Sequence, residues 1–254
     1  MYKLLSALAL LATVFLSGVP ERAFAYDLRP IIVQLTPSGA GSSGTVIITN
    51  SHEVPIAIEA RAYLRIQNPD GSEERIPEDE DIIITPPQMV IAPGSSQAVR
   101  VRWVGDANPD RELTYRLVTE QLPINLATES NEETTANLSL AYRYEAALYI
   151  VPPGSQPSAR ITRAAAVQDE EGTQWLELDI ASEGTRRAIL EEPAVSLTAA
   201  GSSSPITLDG EAVEPLVGLN ILSGGYRTVR LPWPEGLTAG PVNAELRTGY
   251  TVFQ

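Results

Sequence analysis

Turn residues are spread so evenly along this chain that no long helix fits between them. Twenty prolines and 18 glycines separate short runs that are β-branched or strictly alternating. Proline removes a backbone donor and breaks a helix interior, while glycine admits φ > 0. In the run 97–103, Val99, Val101 and Trp103 face one way and Arg100 and Arg102 the other, the period of a half-buried strand. Runs at 31–35, 45–50, 56–64, 82–85, 89–92 and 113–121 read likewise, and 136–151 is the longest. Between them lie Ser38-Gly39-Ala40-Gly41, Asn68-Pro69-Asp70-Gly71 and Pro93-Gly94, plus polar loops at 73–81 and 124–135. Pro152-Pro153-Gly154-Ser155-Gln156-Pro157 is stiff and polar, and strand-like runs resume beyond it at 159–167, 175–181, 194–198, 226–231 and 242–253. The pattern predicts an all-β protein of two β-sandwich domains, 26–152 and 158–254, joined by a linker at 153–157.

The amino terminus points out of the cytosol. Lys3 precedes an apolar run at 4–19, Pro20 stops it, and Ala23-Phe24-Ala25 has the small-x-small form of a cleavage site. Residues 1–25 therefore read as a secretory signal peptide rather than a membrane span, because the run is short and no stop-transfer charges follow. Without that segment the chain keeps 16 arginines, 31 acids and no lysine, a net charge of −15. Such an excess opposes binding to nucleic-acid backbones and anionic membrane surfaces.

No catalytic constellation emerges, and neither a cofactor nor a metal is expected. Zero cysteines exclude disulfides and thiolate chemistry, and a single histidine excludes multi-histidine zinc sites. His52 reads as an exposed loop residue. Glu78-Asp79-Glu80-Asp81 and Asp169-Glu170-Glu171 lack the spacing of a calcium loop and read as solvated turns. Ser42, Ser43 and Ser202 to Ser204 have no neighbouring base. Trp175 and Trp233 read as core or rim residues rather than a sugar platform.

One resemblance gathers these observations. Thr49-Asn50, Pro55-Ile56, Asp70-Gly71, Pro86-Pro87, Ala92-Pro93-Gly94, Gln97 with Val99-Arg100-Val101, Arg111-Glu112, Tyr115-Arg116 and Glu120-Gln121-Leu122-Pro123 occur in this order. Over residues 28–152 the chain resembles the PapD-like periplasmic chaperones of pilus assembly, as a divergent, cysteine-free branch. The resemblance implies a boomerang of two immunoglobulin-like domains in the periplasm. Its expected partners are pilus or fimbrial subunits, each a sandwich lacking one strand, and an outer-membrane usher that receives them. The chaperone would lend its own strand, a form of β-strand addition. It could also self-associate through that strand.

Leu138, Leu140, Tyr142 and Tyr144 alternate along 137–144 and could fill the partner's cleft or face this domain's own core. The resemblance assigns them to the donor strand. It also implies a basic anchor for the subunit's terminal carboxylate, at positions that fall on Ala147 and near Ile32 here. Neither is basic, so Arg29 and Arg143 become the candidate anchors, a guanidinium being suited to a carboxylate. The competing expectations are a structural or adhesive β-sandwich surface protein and an exported carbohydrate-binding protein.

Overall fold

The computed structural model describes residues 26–123, 141–202, 204–238 and 240–253. Ten strands precede the proline-rich connection: β1 (Asp27–Arg29), β2 (Ile32–Leu35), β3 (Ser43–Thr49), β4 (Ile56–Gln67), β5 (Glu73–Pro77), β6 (Ile82–Thr85), β7 (Gln88–Ile91), β8 (Ser96–Trp103), β9 (Leu113–Gln121) and β10 (Arg143–Ile150). They make two sheets, ordered β1-β3-β8-β6 and β2-β10-β9-β4-β5, with β7 also paired to β4. The alternation expected in β8 is realised: Val99, Val101 and Trp103 are buried and Arg100 and Arg102 exposed. Those apolar side chains meet Ile48, Leu117, Leu148 and Ile150 in one core between the sheets.

Pro30 divides the first strand-like run. It sits between β1, which pairs with β3, and β2, which pairs in parallel with β10, so the chain changes sheets there. A residue without an N–H cannot extend a ladder through both segments. The longest expected strand begins at Arg143 in the described residues; Ala141 and Tyr142 precede it, and 136–140 lie outside the described part. The expected signal peptide lies wholly outside it as well.

The second sandwich contains β11 (Ala159–Gln168), β12 (Gln174–Ser182), β13 (Ala188–Ala199), β14 (Ile206–Leu208), β15 (Asn220–Ile221), β16 (Tyr226–Pro232) and β17 (Val242–Tyr250). Its sheets are β11-β12-β16 and β14-β13-β15, with β17 on β13. Leu176, Leu178 and Ile180 interlock with Leu190, Val195 and Leu197 in a second core. Strand β13 starts earlier than the run 194–198 suggested. A register shift between Glu191 and Ala194 lets the strand bulge past Pro193, and Glu192 adopts φ 47° there. Alternation gave no sign of the short 3-10 segment Gly210–Leu216, which inserts Val213 and Leu216 into this core. Two β-sandwiches, as the turn spacing predicted, make up the described residues.

The sandwiches touch directly. Thr228 N donates to Pro69 O at 2.8 Å and Glu112 N to Thr185 O at 2.8 Å. A small apolar cluster of Ala147, Tyr149 and Leu222, flanked by Ile32 and Val151, fills the junction.

Candidate functional site

Strand β10 has an unequal pair of edges. Along one edge it pairs with β9 from Arg143 to Ile150, whereas along the other it meets β2 only from Ala147 to Ile150. Ala147 N donates to Ile31 O at 2.9 Å, which fixes that side of the strand as the β2 side. Because backbone groups alternate along a strand, the N–H and C=O of Arg143 and Glu145 point the same way. No described strand pairs with them. The first turn of β10 therefore offers a template for an added strand, which must stop where β2 begins.

The sheet face above this edge carries charge. Register places Arg116 of β9 beside Ala147 on one side, while Ile32 of β2 stands on the other. Arg116 Nε lies 3.0 Å from Glu73 Oε2, and Nη2 is 2.9 and 2.8 Å from the two Glu73 oxygens. Arg65 of β4 grips the same carboxylate through Nε at 2.9 Å and through Nη2, and its Nη1 reaches Tyr149 Oη at 3.2 Å. Burial opposes ionisation of Glu73, but the hydrogen bonds from Arg65 and Arg116 outweigh it and lower its pKa.

A second buried pair lies at the domain junction. Arg187 of the second sandwich covers the Tyr149 ring at 3.7 Å and reaches Glu112 of the first sandwich at 2.6 Å. Burial pushes the Glu112 carboxyl up, against the pull of Arg187 and Arg186. Arg186 Nη2 also holds Gln34 Oε1 at 2.9 Å and the Phe253 carbonyl at 2.7 Å.

The residues singled out from sequence are placed as follows. Leu138 and Leu140 lie outside the described residues. Tyr142 and Tyr144 pack half-buried against the first core, continuing the face of Ala146, Leu148 and Ile150. Tyr144 meets Tyr26 edge-on at 4.7 Å, and burial pushes the Tyr26 phenol up to about 12. Arg143 is on the outward face of β10 with Nε 3.4 Å from Glu145, whose other oxygen takes Arg75 at 2.8 Å. Arg29 is 80% exposed, pairs with Asp27 at 2.6 Å, and lies on the sheet that excludes β10.

His52 departs from its expected exposure. It is half-buried, its ring sits 5.7 Å from that of Tyr142, and its Nε2 is buried without a partner among the described residues. The cause is Asn50, fully buried, whose Oδ1 accepts from His52 N at 2.9 Å and draws the turn inward. Asp169 is also engaged rather than merely solvated, since its Oδ2 accepts from Trp175 Nε1 at 2.9 Å.

Sequence reasoning passed over Arg65, Glu73 and Arg187 and gave Arg116 no role of its own. Arg65 and Glu73 are eight residues apart but lie on separate strands, and Arg116 is 43 residues from Glu73. Only the order β9-β4-β5 brings the three together.

Residues 32–156 match the family model described as pili and flagellar-assembly chaperone, PapD N-terminal domain. Compared by sequence with curated proteins, the chain has no match. Among solved structures, the class 5 fimbriae chaperone CfaA is similar over 90% of this chain and 100% of that one, with 14% identity and a TM-score of 0.54. The CsuC–CsuE chaperone–tip adhesion subunit pre-assembly complex from archaic chaperone-usher Csu pili of Acinetobacter baumannii matches over 88% and 97%, with 16% identity and a TM-score of 0.55. The E. coli chaperone DraB matches over 84% and 86%, at 17% identity and a TM-score of 0.50. At these identities the likeness is one of fold, and it extends through the second sandwich. Residues 32–156 belong to the family of pili and flagellar-assembly chaperones, as their PapD N-terminal domain.

Proposed function

We propose that this protein is a periplasmic chaperone that captures pilus subunits by donor-strand complementation and passes them to an outer-membrane usher. The observation that carries the proposal is the half-covered edge of β10 in a chain whose first domain matches the family. Tyr142 and Tyr144 share the core-facing parity of Leu148. By the same alternation, Leu138 and Leu140 fall on that face of the preceding segment and enter the partner's cleft. Each leucine so buried contributes about 1.5–3 kcal/mol against the cost of association. Export through the signal peptide 1–25 delivers the chain to that compartment.

The added chain ends beside Ala147, because β2 occupies the line beyond it. A terminal carboxylate arriving there needs a cation. Arg143 and Arg29 are the candidates from sequence, and Arg116, the cross-strand neighbour of Ala147, is a third.

The test is co-expression with a fimbrial subunit that lacks its last strand, followed by purification from the periplasm. The wild-type chain should retain the subunit, and Leu140→Arg should lose it with an unchanged melting temperature. Unfolding of the Leu140→Arg variant, or undiminished capture by it, would refute the donor assignment.

A further inference from the structure

The Arg65–Glu73–Arg116 cluster is short of negative charge. Two guanidinium groups share a single carboxylate: Glu73 Oε1 accepts from both, and Oε2 from Arg116. Arg65 spends its remaining nitrogen on Tyr149 Oη at 3.2 Å. Arg116 Nη1, by contrast, has no hydrogen-bond partner among the described residues, and the Arg116 side chain is 19% exposed. Another carboxylate on this face, Glu145, is already divided between Arg75 and Arg143. Glu73 itself comes from β5, the outermost strand of its sheet, directly after the turn at Asn68–Ser72. Its side chain is 15% exposed and stands on this end strand.

From this geometry we infer that Glu73 is an internal stand-in for a partner's carboxylate, occupying Arg116 in the free protein and competing for it when an extended chain docks. The inference rests on the strand-addition reading, and it adds a resident competitor to that site. A docking chain that stops at Ala147 lies across β10 from Arg116, two strand spacings or about 10 Å between backbones, a gap to be closed by the extended Arg116 side chain and the terminal group together. Glu73 lies the other way, across β4 on β5, so Arg116 must turn from Glu73 to meet the incoming carboxylate. Two carboxylates then compete for one cation. The hydrogen bonds given up to Glu73 lower the affinity for an acid below what Arg116 alone would supply. Glu73 thereby offsets part of the charge of Arg65 and Arg116 in the unloaded chaperone and makes capture readily reversible.

The experiment uses the full chain and two fluorescent 11-residue peptides of alternating valine and serine. The peptides are identical except that one ends in a free carboxylate and the other in a carboxamide. The readout is the ratio of their affinities, which cancels any difference in folded fraction between variants. The wild-type protein should prefer the acid modestly. Glu73→Gln should raise that preference about tenfold, the scale of one charge-assisted hydrogen bond. Arg116→Gln should abolish it. An unchanged or smaller ratio in Glu73→Gln would make Glu73 a positioning group for Arg116 and overturn the inference, while the wild-type preference for acid would leave the strand-addition reading standing. Failure of either peptide to bind the wild-type protein would overturn that reading and this inference with it.

Discussion

Arg187 Nη1 and Glu112 Oε2 lie 2.6 Å apart at the junction of the two sandwiches, with side chains 3% and 0% exposed. One charge comes from each domain, so the pair exists only when the domains are docked. The Tyr149 ring closes one side of Arg187, and Arg186 Nε stands 3.7 Å from the same carboxylate.

Removing one member of this pair should be costly. Arg187→Ala leaves Glu112 buried with only the more distant Arg186, and a loss of about 3 kcal/mol is expected from the cost of an unpaired buried charge. The double change Glu112→Leu with Arg187→Met should cost less than Arg187→Ala alone, because no charge is then stranded. Urea unfolding followed by tryptophan fluorescence measures both. Equal or larger loss in the double variant would contradict this account.

Acid should weaken both sandwiches. The pKa of Glu73 is lowered from 4.5 because its arginine hydrogen bonds outweigh burial. Glu177 is lowered by the hydrogen bond from Arg163, and Asp179 by Arg163 and Thr228 against its burial. A carboxyl with a depressed folded pKa adds stability that is fully present above its unfolded value and is lost as pH falls through the folded one. The melting temperature should therefore hold above about pH 5 and decline below 4.5, the ordinary glutamate value. Glu112 works in the opposite sense, since burial raises its pKa and protonation relieves the cost of its charge. Glu73→Gln together with Glu177→Gln should flatten the acid limb.

The arginine series separates the candidate anchors. With a bound fimbrial subunit, Arg116→Ala is expected to cost about 1 kcal/mol of affinity, the scale of one hydrogen bond already discounted by Glu73. Arg29→Ala should leave affinity unchanged, because Arg29 is exposed, paired to Asp27 and on the other sheet. Arg143→Ala should have a smaller effect than Arg116→Ala. A titration in which Arg29→Ala is the most damaging change would reverse the assignment.

Gly71 offers a test of domain docking. Its φ is 92°, and a Cβ there would run into the guanidinium of Arg227, which reaches over from the second sandwich to Pro69 O at 3.2 Å. Gly71→Ala should destabilise by about 1 kcal/mol through the positive φ, and more if Arg227 is displaced. Arg227→Ala in the same background should remove the second part. Equal melting temperatures for Gly71→Ala and the wild type would show that the turn relaxes without cost.

Local alternation was enough to determine the elements. Val99, Val101 and Trp103 in β8, and Leu176, Leu178 and Ile180 in β12, announce their buried faces within a few residues, and Asn68 to Gly71 announces its turn. Burial on one face is a property that a single strand carries by itself, so one sequence suffices to find it. Pairing between strands is different. The parallel match of β2 with β10, the start of β10 that no described strand covers, and the placing of Arg116 beside Ala147 follow from sheet order and register. So does the meeting of Glu112 with Arg187, 75 residues away. Those relationships depend on which strands become neighbours, and an isolated run of residues is the same whichever neighbour it finds. The sequence determined that this chain builds two sandwiches with a leucine-bearing segment before β10; tertiary structure alone decided which charges that segment's root would face, because sheet order, not spacing along the chain, sets the distance between side chains.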